Sequence, residues 1–182
     1  MKKILVLAIA AILACGSVSA QHGHGNCGNC PRHKQHQAQQ QCMKPAPLQY
    51  NADGIETTIL KAFPEAKSVK KTDKWTEVYN AKKKLIGYAV YSKPASDGIK
   101  GYAAETPVLI AMSKKQVIVG VYMLPNAETP NFVKHIEEKG FFNSWNGLSV
   151  KQAKKKQVDT VTGATFTSRA VIQSVQAALE KL

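Results

Sequence analysis

The stretch Asp159-Thr160-Val161-Thr162-Gly163-Ala164-Thr165-Phe166-Thr167-Ser168 runs straight into RAVIQSVQAALEKL (169–182). The second part has a helical period. Val171, Ile172, Val175, Ala178, Leu179 and Leu182 recur at three- and four-residue steps. The first part is a loop of small residues rich in hydroxyls. A helix start leaves backbone N–H groups unpaired and carries the positive end of the helix dipole. It therefore attracts phosphate, and Gly163 and Ala164 let a ligand or a backbone come close. A plainer reading fits the same residues, a loop in which Thr167 or Ser168 caps the last helix. On physical grounds alone the two readings stand level.

Outward from this loop, residues 75–79, 85–92, 107–112 and 117–124 read as strands. The polar or glycine-containing links between them are short, which predicts antiparallel neighbours. Before the strands, Asp53 and Glu56 form a start signal for a helix with the stripe Ile55, Ile59, Leu60, Phe63, stopped by Pro64. After them, Thr129-Pro130 reads as an N-cap with proline in the first turn, and Gly140 is placed to end that helix. Ser149 and Gln152 read as a capping box. Helices at both ends with strands between predict an α+β domain, with a central antiparallel sheet and a long C-terminal helix.

The chain of 182 residues carries a formal charge of +13. Lysines dominate, in runs such as Lys82-Lys83-Lys84 and Lys154-Lys155-Lys156. A basic surface of this kind is solvated, or it steers the protein towards an acidic redox partner or anionic lipid. Residues 1–20 have the positive start, short apolar run and small-residue end of a secretory signal peptide. Ile12-Leu13-Ala14-Cys15 also loosely resembles a lipobox, which would leave Cys15 acylated. Both readings place the mature protein in the periplasm or otherwise outside the cytoplasm, where a nucleic-acid role fits poorly. Residues 21–49 are rich in Gly, Gln, His and Pro, too poor in apolar surface to offset the entropy of ordering. This reads as a flexible tail, with the folded domain at 50–182. Cys27 and Cys30 form a C-x-x-C, preceded by His22 and His24 and followed by Cys42. A disulfide, a transition-metal site (His22, His24, Cys27, Cys30) and a biased linker all fit the tail.

The segment Asp159 to Thr165 resembles the flavinylation motif D-x-x-[ST]-G-A-T of the FMN-binding domain family. That domain occurs in the flavin-carrying subunits of sodium-pumping NADH:quinone oxidoreductase and of Rnf complexes. The resemblance extends over about 53–182 through Leu85-Ile86-Gly87-Tyr88-Ala89, Gly101-Tyr102, Glu128-Thr129-Pro130 and the aromatic segment 141–147. It implies FMN bound as a phosphoester on Thr165. It also implies a separate flavin transferase that makes the bond from FAD and reads Asp159, Thr162, Gly163 and Ala164. Glu128, Thr129 and Tyr102 would lie beside the cofactor, and a second Glu-Thr-Pro at 105–107 leads into a strand instead. Ala103-Ala104 and Asn131-Phe132 stand where many members carry glycines near the flavin ring. Tyr102, Met123, Leu124 and Trp145 are candidates to line the ring, with ordinary core packing as the competing role.

The function so implied is an exported covalent flavoprotein passing electrons to or from a redox partner, which a membrane-bound complex would supply. It is a carrier more than a stand-alone enzyme. Two alternatives belong to other classes. One is a flavin-dependent reductase of a small extracellular acceptor. The other is a metal-handling protein working through its His/Cys tail.

Overall fold

The computed structural model describes residues 46–48 and 54–182. The expected signal peptide, the acylation candidate Cys15 and the His/Cys cluster at 22–42 lie outside the described residues.

The sheet has six antiparallel strands in simple sequence order: β1 (Ala46–Pro47), β2 (Ala66–Lys71), β3 (Thr76–Asn80), β4 (Leu85–Tyr91), β5 (Val108–Ser113) and β6 (Ile118–Met123). Helix α1 (Ile55–Ala62) precedes β2, and α2 (Pro130–Glu138), a 3₁₀ turn (Phe141–Trp145), α3 (Val150–Lys155) and α4 (Thr165–Glu180) follow β6. This is an α+β architecture that closes on a C-terminal helix.

Strand β5 explains why the layers form. Its first five residues are all buried, as expected of a strand covered on both faces. Alternation then splits them. Val108, Ile110 and Met112 join Val171, Val175, Ala178 and Leu179 of α4, together with Ile136 and Trp145, in one core. Leu109 and Ala111 join Ile59 of α1, Val69, Val78 and Leu124 in a second core on the other face. Each fully buried Val or Leu on the α4 stripe stabilises the fold by about 1.5–3 kcal/mol.

Helix α4 is fastened near both ends. At its end the Lys181 ammonium donates to the carbonyls of Tyr91, Ser92 and Lys93 at 3.0, 2.9 and 2.8 Å. Burial holds this amine below the usual lysine range. Near its start, Thr167 bonds Glu128.

Strand β2 is added to those expected, and two local expectations change. Strand β2, AKSVKK, carries no apolar alternation, and only Ala66 and Val69 are buried. A bulge between Ala66 and Ser68 breaks its register. Gly54, at φ +63°, stands at the N-cap of α1, and Asp53 lies outside the described residues. Thr129 and Pro130 do open α2, but the Thr129 side chain makes no cap hydrogen bond. The capping box of Ser149 and Gln152 is present, with both bonds made.

Candidate functional site

Helix α4 starts earlier than a Thr167 or Ser168 cap would allow. Ala164 is the N-cap and Thr165 the first helical residue. The two expected capping hydroxyls sit inside the first turn and have other partners, a distant one for Thr167 and the preceding loop for Ser168. Thr167 is fully buried and donates to Glu128 Oε1 at 2.9 Å. Ser168 Oγ accepts the Val161 N–H at 3.0 Å and donates to the Ala164 carbonyl at 2.9 Å. The loop before the helix is thus tied to the helix's own first turn.

This sorts the hydroxyls of the 159–168 stretch. Among the described residues none hydrogen-bonds the side chains of Thr160, Thr162 or Thr165. Thr160 and Thr162 are exposed, and Thr165 is half-buried. Thr165 alone of the three opens a helix. The N–H groups of the first turn have no acceptor within the helix, so an anion on Thr165 would meet donors and the positive dipole end. Asp159 and Gly163 are exposed and Ala164 is buried. Gly163 has φ +87°, a conformation L-residues avoid. His135 of α2 lies against this turn, its Nε2 3.0 Å from the Thr162 carbonyl.

Glu128 is the other centre. A tight turn sets it up: Asn126 Oδ1 accepts the Glu128 N–H, and Asn126 Nδ2 donates to the Leu124 carbonyl. The residue is 4 % exposed. Its Oε1 accepts the Tyr102 N–H at 2.9 Å, and its Oε2 accepts those of Ala103 and Ala104 at 3.0 and 2.8 Å. With the Thr167 hydroxyl this makes four donors. Burial pushes the carboxyl upward. The donors, led by the Ala104 and Ala103 N–H groups and then the Thr167 hydroxyl, outweigh burial and hold it below the usual glutamate range. Gly101 fits this packing, because a Cβ there would lie 2.9 Å from Oε2.

Glu128 therefore places two segments that are far apart in sequence, the 101–104 turn and the start of α4, on one carboxylate. Its own oxygens are fully used in that task. Thr129 is half-buried and contributes its carbonyl to the first turn of α2. The other glutamate, Glu105, is engaged elsewhere, with Lys93 at 2.6 Å and the Gly98 N–H at 3.0 Å.

The aromatic surroundings differ from the expected set of ring-lining candidates. Trp145 and Leu124 are buried in separate cores, and Met123 is partly buried. Tyr102 is 65 % exposed and meets Phe132 edge-on at 5.1 Å. Phe166, next to Thr165, is 64 % exposed. Phe166 and Phe132 were not among the residues expected at the site. Phe166 stands in sequence beside the small-residue loop and is exposed, whereas Phe132 packs partly against the core. Among the described residues no group of His, Cys, Asp and Glu is placed to hold a metal ion.

Fold and site together define a domain in which an antiparallel sheet carries a hydroxyl-rich loop at the start of a long C-terminal helix, braced by a buried glutamate. Residues 101–180 match the FMN-binding domain family model, and this chain carries a domain of that family. It is 29 % identical over 125 residues to a subunit of the Na(+)-translocating ferredoxin:NAD(+) oxidoreductase complex of Acetobacterium woodii, covering 62 % of this chain and 58 % of that protein. It is 33 % identical over 89 residues to a subunit of the ion-translocating oxidoreductase complex of Shewanella piezotolerans, covering 43 % and 42 %. The chain thus spans about half the length of these relatives. The crystal structure of Shewanella oneidensis NqrC aligns over 73 % of this chain and 76 % of that one, at 21 % identity and a TM-score of 0.41.

Proposed function

We propose that this chain is an exported electron-transfer flavoprotein that carries FMN as a phosphoester on Thr165. The observation that carries this reading is the sorting of hydroxyls. Thr167 and Ser168 are consumed by structural bonds, and Thr165 keeps an uncommitted hydroxyl at the first position of α4.

The residues present fit the phosphate end. The first-turn N–H groups and helix dipole would hold it, contributing up to about 1–2 kcal/mol where partly buried. Arg169 lies one turn on and is exposed. Side chains four apart share a helix face, and helical side chains lean towards the N-terminus. By this spacing its guanidinium would be within reach of a phosphate on Thr165. The exposed rings of Tyr102 and Phe166 offer apolar surface for the flavin ring system. FMN, when bound, supplies one- and two-electron chemistry, and the protein orients it and tunes it. Glu128 would act through the protein, by fixing the 101–104 turn relative to α4.

A flavin transferase would modify the exposed loop, reading Asp159, Thr162, Gly163 and Ala164. The named relatives are subunits of ion-translocating oxidoreductase complexes, which supports a membrane-bound redox partner. The test is co-expression with a flavin transferase followed by denaturing electrophoresis. Flavin fluorescence should travel with the chain and vanish in Thr165→Ala. It should also vanish in Thr165→Val, which keeps the shape and loses the hydroxyl.

A further inference from the structure

We propose that a lysine cluster formed by the β5–β6 turn and helix α3 docks this domain on an anionic lipid bilayer, at the opposite end of α4 from Thr165. The two segments are joined by the bridge between Val117 and Ser149 and by the bond from the Ile118 N–H to the Leu148 carbonyl. They bring Lys115 of the turn beside Lys151 and Lys154, with Lys114, Lys155 and Lys156 adjacent to these in sequence. All six are exposed. No Asp or Glu occurs anywhere in 106–127 or in 139–158. None of the six makes an ion pair among the described residues. The lysine-rich edge around β2 and β3 differs, since Glu65, Asp73 and Glu77 are interspersed there.

Lys115, Lys151 and Lys154 line a shared pocket of about 390 Å³ with Gln116, Val150 and Leu182. Leu182 follows the end of α4, whose 16 residues run for about 24 Å. Leu182, at the pocket, therefore sits roughly that far from Thr165. Electron transfer falls steeply with distance, so a redox protein seated on this cluster would be badly placed to exchange electrons with a group on Thr165. A membrane there leaves the Thr165 loop free for a partner whose redox group stands clear of the lipid surface. The chemistry of the patch agrees. Lysine is depleted in protein interface cores, where aromatic anchors dominate, and no aromatic lines this pocket. Single-stranded nucleic acid would also call for aromatics between the cations. Ammonium groups on flexible stems suit anionic headgroups, to which each adds affinity independently.

The lysine cluster stands without the flavin. Only the choice of lipid over a redox protein rests on Thr165 as the attachment point. The test is sedimentation of the full, unflavinylated chain with vesicles of phosphatidylcholine alone or mixed with phosphatidylglycerol, at low and high salt. Wild type should prefer the anionic vesicles, and salt should weaken that preference. Changing Lys115, Lys151 and Lys154 together to Gln should reduce the anionic preference at least about tenfold. Changing the same three to Arg should retain it. Changing Lys67, Lys71 and Lys82 to Gln should alter it less than about twofold. Equal binding to both vesicle types overturns the proposal, as does an equal loss in the two Gln triples. If the first Gln triple binds vesicles like wild type and instead loses exchange with an acidic carrier protein, the surface belongs to a protein and the proposal fails.

Discussion

Thr167 donates its hydroxyl to Glu128 Oε1 at 2.9 Å, across 39 residues of sequence. The same oxygen accepts the Tyr102 N–H at 2.9 Å. One buried carboxylate thereby locks the helix that opens on Thr165 to the turn that presents Tyr102. The position of the start of α4 is decided at Glu128 as much as within the 159–164 loop.

Glu128→Gln keeps the volume but turns an amide –NH₂ towards a pocket of donors. At least one N–H or hydroxyl then loses its acceptor. The expected destabilisation is about 2–3 kcal/mol, read as a lower denaturant midpoint at neutral pH. An unchanged midpoint would show that the four bonds contribute nothing net.

The same residue sets a pH dependence. Its folded pKa lies below the ordinary glutamate value, so the folded state binds this proton less tightly than the unfolded chain does. Its stabilisation is complete above the ordinary glutamate range and is lost as pH falls through the lower folded value. Wild type should lose stability faster than Glu128→Gln over that acidic window. Parallel unfolding curves against pH would remove Glu128 from the explanation.

Two glycines of the site differ in why they are glycine. At Gly101 an added Cβ meets the pinned Glu128 carboxylate at 2.9 Å, so Gly101→Ala should cost about 1–3 kcal/mol by overpacking. At Gly163 the nearest atom, His135 Nε2, is an ordinary 3.5 Å away and the difficulty is φ +87°. Gly163→Ala should therefore cost about 1 kcal/mol or slightly more through backbone strain. Because the strain falls on the loop itself, flavinylation of Gly163→Ala should slow more than its thermal midpoint would suggest. Comparing initial rates of flavin incorporation with melting curves checks this.

Fold and site differed in how much of them the sequence made readable. Strands β4, β5 and β6 were readable because their apolar runs are long and bounded by polar turns. Strand β2 was not, since a bulge lets Ala66 and Val69 both face inward at a spacing of three. The stripe of α4 was readable from its period, but its start was not. Thr167 and Ser168 are good caps in isolation, but Thr167 is enlisted by the distant Glu128 and Ser168 by the loop before the helix. The role of Glu128 as a brace depends on contacts 24 to 39 residues away, which spacing does not encode. The aromatic candidates mixed core and surface, because a tryptophan such as Trp145 reads the same in either place until packing decides.

Tyr102→Ala and Phe166→Ala separate stability from cofactor environment. Both side chains are mainly exposed, so each substitution should change stability by less than about 1 kcal/mol. Both should still accept the flavin, since neither bears the reacting hydroxyl. Each should shift the flavin absorption or quench its fluorescence differently from wild type. Spectra identical to wild type in both variants would place the ring system elsewhere.

Ser168→Ala removes the acceptor of the Val161 N–H and the tie between loop and helix. It should lower stability by about 1 kcal/mol and raise amide exchange at Val161. Unchanged exchange there would mean that the loop holds its shape without this bond.

Thr165, among the hydroxyls of the 159–168 loop, is the proposed carrier of the flavin, and the functional reading of the site rests on that position. Intact mass of the denatured chain after co-expression with a flavin transferase tests it directly, with peptide mapping of the modified species. A single gain of FMN minus water is predicted, mapped to Thr165 and absent from Thr165→Ala. A wild-type chain left unmodified under conditions that modify a known acceptor, or the same gain mapped to Thr160, Thr162 or Thr167, would contradict it.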